Sequence, residues 1–489
     1  MASPACATKS FANITFGLLS LTLLGAIVAG CSPAETCEAQ LCAQADGGPE
    51  LNVLPQYRVA GDAGAPVDAN APQPLVDAGG NEEPDAGEIV DAGDVINTDD
   101  AGEPSFDAGD FSDPHFQVGN LDGEVPTDEV LLPLPGAGTG GPVLTSNNPE
   151  LITGSGLLYS NARPSLTRGG EAYSLEGSFG VYLHHLVSTP NGSPLWVQLV
   201  ITNPNSTPVQ VSVRGSGYSQ NELGTLALGA SPDYRVSEDW ILDTPDVVHE
   251  NVEIEPGRPF VAWKRVVNNN REVDGRFALE TDAPVFVYVV ATEADSVNEA
   301  VVLSSGDDRR DAPGDYRISG TPPPDFGREA GVYAFDTWSG TIDVDVPATP
   351  SYASWMVNTA TGQNYSQVQA FPALVHLDGS AQESVGMYGN VYDLYIQLRH
   401  SGNDTMNRRV RLVFSSLATA NISRYWDGAA LVNGNQVHLR HTPAAPSTTL
   451  TELDLAPGQT RTVHFQAMVP GLTSISQAFS VESLPVVSP

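Results

Sequence analysis

The chain has 489 residues, which is enough for two or three domains, and its formal net charge of −37 makes it strongly acidic. The sequence has no basic stripe that would neutralise phosphates, so nucleic acid is excluded as an expected partner. All four cysteines lie within the first 42 residues, so the rest of the chain is expected to fold without disulfides.

The first predicted element is a signal peptide over residues 1–30. Lys9 precedes an apolar run that begins at Ile14 and is about 16 residues long, shorter than the roughly 20 residues of a membrane-spanning helix. The run ends in Val28-Ala29-Gly30-Cys31, which resembles the lipobox of bacterial lipoproteins. The resemblance implies cleavage before Cys31, acylation of its thiol with palmitate-like chains and, because Ser32 follows, an outer-membrane location. An ordinary secretory signal with an incidental cysteine is the alternative.

Residues 31–132 are predicted to form a disordered acidic tether. Between residues 32 and 140 there are 23 acidic residues and one basic residue, Arg58, and the triplet Asp-Ala-Gly recurs six times. Such a segment cannot bury enough apolar surface to offset its ordering entropy. The aspartates are spaced too irregularly for a calcium loop, which favours a solvated spacer. Near the start of the tether, Cys37 and Cys42 are spaced to close one small disulfide loop.

From about residue 133 the sequence is typical of β-strands. Apolar residues alternate with others from Leu195 to Ile201, a turn follows at Asn203–Ser206, and the alternation resumes from Val209 to Val213. This is the pattern of a β-hairpin. Amphipathic stretches of helical period are no longer than two or three turns, so an all-β fold is predicted.

The β region also contains an apparent internal repeat. Trp196-Val197-Gln198-Leu199 is echoed 199 residues later by Tyr395-Ile396-Gln397-Leu398. Further matches in the same order are Val209/Val211/Val213 with Val410/Leu412/Phe414, Glu255-Pro256-Gly257 with Ala456-Pro457-Gly458, and Phe277 with Phe479. The sequence therefore predicts two tandem antiparallel β-sandwich domains, Ig-like or jelly-roll-like, at residues 133–310 and 325–489.

Several short motifs in this region resemble an uncharacterised domain family of exported bacterial β proteins. They are Leu132–Gly136, Ser146–Ile152, Gly156–Leu158, Gly177–His185, Gly327–Val332 and Tyr388–Tyr392. The resemblance covers about residues 133–489. It implies an exported, non-catalytic β protein, and it supplies no activity because the family has none assigned.

The most conspicuous polar pair in the β region is His184-His185. Neighbouring side chains of a strand point to opposite faces, so these two imidazoles are not expected to hold one metal ion. His438 and His441 would share an ion only if their strand were broken between them. No metal or cofactor is therefore predicted, and we find neither a Gly-x-Ser-x-Gly elbow nor a cysteine nucleophile in the β region.

A ligand surface is the remaining candidate site. Trp196 and Tyr395 could stack on sugar rings, and His184 is the third residue of this possible ligand surface. Equivalent repeat positions of the two aromatics would equally result from core packing. The sequence thus predicts a lipid-anchored cell-envelope protein with a non-catalytic binding or structural role. The expected partner is a polysaccharide or another envelope protein. The alternative is an envelope glycan hydrolase, since paired carboxylates can lie far apart in sequence.

Overall fold

The computed structural model describes residues 116–221, 231–305, 309–316, 328–358, 369–403, 405–417, 426–471, 473 and 476–485. The signal peptide, Cys31, Cys37, Cys42 and most of the predicted tether lie outside these residues, so those predictions stay predictions. Within the described ranges, no helix is long and apolar enough to cross a membrane.

Strands dominate the described part of the chain, as the sequence predicts. The strands are β1 (Gln117–Val118), β2 (Leu131–Leu132), β3 (Ala137–Thr139), β4 (Val143–Ser146), β5 (Leu151–Ile152), β6 (Gly156–Ser160), β7 (Leu175–Val187), β8 (Leu195–Thr202), β9 (Val209–Ser219), β10 (Val247–Ile254), β11 (Pro259–Val267), β12 (Arg271–Thr292), β13 (Gly314–Asp315), β14 (Ala330–Tyr333), β15 (Thr337–Asp345), β16 (Ser351–Asn358), β17 (Phe371–His376), β18 (Glu383–Ser384), β19 (Val391–Arg399), β20 (Arg408–Ser416), β21 (Trp426–Val432), β22 (Asn435–His441), β23 (Ser447–Leu455), β24 (Thr460–Met468) and β25 (Gln477–Leu484). Two short helices, α1 (Pro232–Leu242) and α2 (Val297–Ser305), and a 3-10 turn at Asp128–Val130 complete the elements.

The first sandwich is organised around the long strand β12. Its first half pairs with β7 and β9, and its second half pairs with β6 and β8, after a register shift between Thr281 and Val285. One layer therefore has the order β10-β9-β12-β7-β4-β14-β17-β18, and β11, β8, β12 and β6 form the other. The apolar core lies between the layers and includes Val197, Leu199 and Phe277.

The second sandwich packs two six-stranded sheets around a second core. One has the order β1-β16-β25-β20-β23 with β2 beside β16, and the other has the order β22-β21-β24-β19-β15-β3. Strand β19 shows the predicted alternation clearly, because Tyr392, Leu394, Ile396 and Leu398 are buried while the residues between them are partly exposed. Most strand pairs are antiparallel, but β2-β16, β4-β7, β5-β7 and β15-β19 are parallel.

Equivalent strands of the two sandwiches pair in the same order. The order β10-β9-β12-β7 in the first corresponds to β23-β20-β25-β16 in the second. The turns that precede β11 and β24 each contain a glycine with positive φ, Gly257 at 67° and Gly458 at 77°. The repeated sequence motifs thus occupy equivalent topological places.

The sheets cross the domain boundaries predicted at residues 133, 310 and 325, because some strands pair with the other sandwich. Strand β3 pairs with β15 of the second sandwich, whereas β14 pairs with β4 of the first. The last residues of the predicted tether also belong to the fold, since β1 and β2 both pair with β16. The prediction of a tether extending to residue 132 is wrong at this end because Phe116, Val125 and Leu131 pack against apolar clusters.

Helix α1 carries a clear start signal. Ser231 caps the helix, and its side chain accepts a hydrogen bond from the backbone N–H of Tyr234 at 3.1 Å, with Pro232 in the first turn. The helix contacts the second sandwich through Ser231, which donates to Asp427 at 2.9 Å, and through Ser237, which accepts from the backbone N–H of Ala429 at 2.9 Å. It therefore lies where the two sandwiches meet.

Candidate functional site

A cluster of three ionisable side chains is buried at this meeting point. His184 lies in β7, Asp274 is its cross-strand partner in β12, and Asp233 lies in the first turn of α1. The Nδ1 atom of His184 is 3.4 Å from Oδ1 of Asp274 and 3.6 Å from Oδ1 of Asp233. None of the three side chains is more than 1% exposed. Among the described residues, these are the three side chains whose potential ligand atoms all lie within 4.8 Å of one another.

The secondary structure explains why these groups converge. Alternation along β7 places Tyr182 and His184 on the same face. Asp274 is directly opposite His184 in the antiparallel pair, and the start of α1 brings a carboxylate to a helix N-terminus, where negative charge is favourable. Three separate segments therefore each contribute one ligand atom.

Gly471 closes the cluster from the second sandwich. A Cβ atom at this position would lie 2.3 Å from Nδ1 of His184, 2.6 Å from the hydroxyl of Tyr182 and 2.8 Å from Oδ1 of Asp233. Any larger residue would collide with these polar atoms. Glycine at 471 thus allows the segment after β24 to approach these polar atoms closely.

The electrostatics of the cluster are dominated by burial and by the carboxylates. Burial by itself lowers the pKa of His184, but Asp274 and Asp233 outweigh it and raise that pKa to about 9. Burial, Asp274 and Asp233 raise the pKa of Tyr182 well above 10. The cluster is therefore built to hold positive charge, on the imidazole or on a bound cation, and its burial keeps it away from a macromolecular substrate.

His185 occupies a different environment, as the strand alternation predicts. One ring nitrogen accepts from Ser146 Oγ at 3.0 Å and the other donates to the carbonyl of Pro149 at 2.8 Å. Burial lowers the pKa of His185 to about 3, so the ring is neutral at physiological pH. His185 has a structural role on the opposite face of β7.

Trp196 lines an open groove of about 690 Å³ on the first sandwich, formed by β8, β10, β11 and the start of α2. The ammonium group of Lys264 lies 5.9 Å from the centroid of its ring. Lys264 pairs with Asp295 at 2.5 Å beside the partly exposed indole, and Arg265, which pairs with Asp246 at 2.6 Å, also lines the groove. The groove, which Trp263 and His249 also line, thus offers aromatic surface among hydrogen-bonding groups.

The predicted ligand surface of His184, Trp196 and Tyr395 is not formed as one surface. His184 is buried, because strand alternation turns it towards the interior. Tyr395 lies in the second sandwich, where its ring stacks on that of His464 at 4.4 Å. Trp196 is the member of the three that lines the groove.

The second pair of histidines is also divided. His438 contacts Asp427 at 2.8 Å, and its ring packs 4.2 Å from that of Tyr234. His441 forms a hydrogen bond with Ser416 at 2.7 Å. Both lie in the unbroken strand β22, so they do not converge on one ion.

Comparison with known families identifies one domain in the chain. A domain described as "Protein of unknown function (DUF3370)" is found at residues 129–225, which include β7, His184 and Trp196. The match is shorter than the span of residues 133–489 expected from the sequence motifs. No curated protein matches the chain significantly.

Three of the solved structures that match the chain are each 8% identical to it. The tandem CBM22 domains of Paenibacillus barcinonensis Xyn10C match with a TM-score of 0.15 over 68% of this chain and 92% of that one. The Sulfolobus turreted icosahedral virus matches with a TM-score of 0.11 over 63% and 53% of the two chains. Bacillus subtilis oxalate decarboxylase, with Mn(II) centres, matches with a TM-score of 0.10 over 72% and 79%. TM-scores at this level do not establish a shared fold.

Proposed function

We propose that this chain is a lipid-anchored protein of the cell envelope, held at the outer membrane by acylated Cys31. The support is the sequence from Val28 to Cys31 at the end of a short apolar run. More than one acyl chain is needed for stable anchoring, which the three chains usual in bacterial lipoproteins would supply. The acidic segment that follows separates the anchor from the β-sandwiches.

Labelling cells with palmitate tests the anchor directly. The full chain is expected to incorporate label and to fractionate with outer membranes, while Cys31→Ala is expected to lose both properties. Cys37→Ala is the matched control and should retain the label. Incorporation into Cys31→Ala, or none into the unchanged chain, would contradict the proposal.

We further propose that the β-sandwiches form a non-catalytic module that binds a saccharide in the groove beside Trp196. The observation that carries this proposal is the partly exposed indole beside the Lys264–Asp295 pair, in a groove that the Arg265–Asp246 pair also lines. An indole offers an apolar face for a sugar ring, while charged neighbours can exchange hydrogen bonds with hydroxyl groups. The groove opens to solvent, so a polymer could lie along it.

A glycan array of peptidoglycan fragments, lipopolysaccharide cores and neutral glucans is the test, with the full chain in detergent as probe. Burial of an aromatic side chain is worth about 1.5–3 kcal/mol, so Trp196→Ala is expected to weaken binding by at least about tenfold. Tyr395→Ala is the control, because Tyr395 holds the equivalent repeat position but does not line this groove.

Two results would contradict the binding proposal. One is equal binding by Trp196→Ala and the unchanged chain, which would place any ligand elsewhere. The other is release of cleaved saccharide from the array, which would instead favour the envelope glycan hydrolase.

A further inference from the structure

We propose that His184, Asp233 and Asp274 bind one divalent transition-metal ion of the zinc type, at the junction of the two sandwiches. The three ligand atoms come from β7, α1 and β12, and they all lie within 4.8 Å of one another. The site is separate from the groove beside Trp196.

The distances fit a tetrahedral ion. Ligand atoms that lie about 2.0–2.2 Å from tetrahedral zinc are about 3.3–3.6 Å from each other. The two contacts of His184 Nδ1, at 3.4 Å to Asp274 and 3.6 Å to Asp233, fall on this edge length. An imidazole with two carboxylates is a nitrogen and oxygen set suited to zinc, whereas calcium prefers oxygen ligands alone.

The charges fit as well. Two carboxylates buried together repel each other and lose hydration. One protonated imidazole cannot neutralise both aspartates. A divalent ion with a neutral imidazole would balance them.

Unused polar atoms provide independent support. Among the described residues, no hydrogen bond of full geometry reaches either ring nitrogen of His184, either carboxylate oxygen of Asp274 or the hydroxyl of Tyr182, although His184 and Tyr182 both interact electrostatically with Asp274. Each of these side chains is fully or almost fully buried, so water cannot readily satisfy them. A coordinated ion would satisfy the Nδ1 atom and at least one oxygen of Asp274, and the hydroxyl of Tyr182 lies with that Nδ1 atom beside Gly471.

Such an ion would join parts that the chain brings together from far apart. His184 and Asp274 belong to the first sandwich, and Asp233 belongs to the helix that contacts β21 through Ser231 and Ser237. Gly471 follows β24 of the second sandwich. The ion would therefore fix α1 between the two sandwiches and stabilise their junction.

Metal analysis of the full chain is the primary test. The protein purified in detergent without chelator is expected to contain about one zinc-type ion per chain by mass spectrometry. Removal of the ion with a chelator should lower the Tm, and added Zn²⁺ should restore it while Ca²⁺ does not. Restoration by Ca²⁺ alone would overturn the assignment to a zinc-type ion.

Conservative variants locate the ion. Asp274→Asn and His184→Gln keep side-chain size and are expected to weaken Zn²⁺ binding by at least about 100-fold. Changing a residue that only supports a ligand already weakens metal binding by up to about 100-fold, and these two residues would be ligands themselves. Gly471→Ala should also reduce Zn²⁺ content, because its methyl group would lie 2.3 Å from Nδ1 of His184 and displace the ligand atom. His438→Gln is the matched control, since it removes an imidazole from another His–Asp pair, and it should bind normally.

The unchanged chain keeps the proposal falsifiable if a variant fails to fold. A chain that contains no ion as purified, and whose Tm does not respond to chelator or to Zn²⁺, would overturn the proposal. Normal zinc content in folded Asp274→Asn and Gly471→Ala would overturn it equally. Either result would assign the cluster to an ion triad of protonated His184 with the two aspartates.

Discussion

Glu329 gives the most quantitative prediction, because its carboxyl group is completely buried just before β14. Burial raises the pKa of Glu329 from 4.5 to about 8. Two hydrogen bonds oppose this shift without cancelling it: one from the hydroxyl of Ser384 to Oε1, at 2.9 Å, and one from the backbone N–H of Met387. Each pH unit between the unfolded and folded pKa is worth about 1.4 kcal/mol. The folded chain thus holds a proton that the unfolded chain releases between pH 4.5 and about 8.

The sign of the effect follows from this proton. The stabilising contribution is fully present below pH 4.5 and is lost as the pH rises towards about 8, with an upper limit of about 5 kcal/mol. Glu329→Gln keeps the size and the acceptor oxygen but cannot ionise. Its free energy of unfolding is therefore expected to exceed that of the unchanged chain by an amount that grows from pH 5 to pH 8.

Urea unfolding of both proteins at several pH values measures the difference. Glu250→Gln, in an exposed position of β10, serves as the control and should run parallel to the unchanged chain. Parallel curves for Glu329→Gln and the unchanged chain would refute the reasoning. So would a difference that narrows as the pH rises.

Two further predictions concern charged side chains that anchor separate segments. Arg276→Met should lower the free energy of unfolding by about 3 kcal/mol or more, because a fully buried guanidinium donates to the carbonyl of Gly389 at 2.9 Å and its loss strands buried partners. The control is Arg214→Met, which removes a half-exposed ion pair and should change the free energy of unfolding by less than about 1 kcal/mol. Equal effects of Arg276→Met and Arg214→Met in urea unfolding would contradict the prediction. Asp311→Asn should cost about 1–3 kcal/mol at pH 7, because the carboxylate accepts hydrogen bonds from the hydroxyl and backbone of Thr167. Burial opposes the shift, but hydrogen bonds from Ser165, Thr167 and the backbone of Leu166 lower the pKa of Asp311 below 3.8. The advantage of the unchanged chain should therefore diminish as the pH falls below 3.8, and an advantage that does not diminish on further acidification would argue against it.

The strand pattern was the part of the fold that sequence could predict. In β8 and β19, apolar residues recur at every second position because one face of each strand covers a core. In β8 the opposite face is also largely buried, because Val200 contributes to a small apolar cluster with Leu303 of α2. Alternation therefore predicted the core face correctly and underestimated the burial of the other face.

Strand exchange was not predictable from the same signals. Strand β3 has only three residues, Ala-Gly-Thr, and β14 has four, so neither shows a periodic pattern. Their partners are set by tertiary packing, which a local pattern does not report. Helix α1 did have a readable start in Ser231 and Pro232, followed by an aspartate.

The candidate metal site was missed for a related reason. The sequence draws attention to His184 because it adjoins another histidine, and alternation then argues correctly that the two rings separate. The actual neighbours of His184 are Asp274, which is placed by strand register, and Asp233, which is placed by a helix. Motif spacing detects ligands that share one segment, so it does not detect a cluster assembled from three.

The junction between the sandwiches concentrates charges that a β-sandwich core would otherwise exclude. Arg276 lies two residues beyond Asp274 in β12, so both side chains leave the strand on the same face. The guanidinium of Arg276 lies over the ring of Trp240 in α1, at 4.2 Å, and donates to the carbonyl of Gly389 in the second sandwich. Asp274 in turn lies close to Asp233 of α1. Buried charges cost free energy unless each has its partner, so this junction is stable only when helix and both sandwiches are in place. Arg276→Met and removal of the proposed ion should therefore both promote the same event, the release of α1 from between the two sandwiches. Together they should lower the free energy of unfolding by less than the sum of their separate effects.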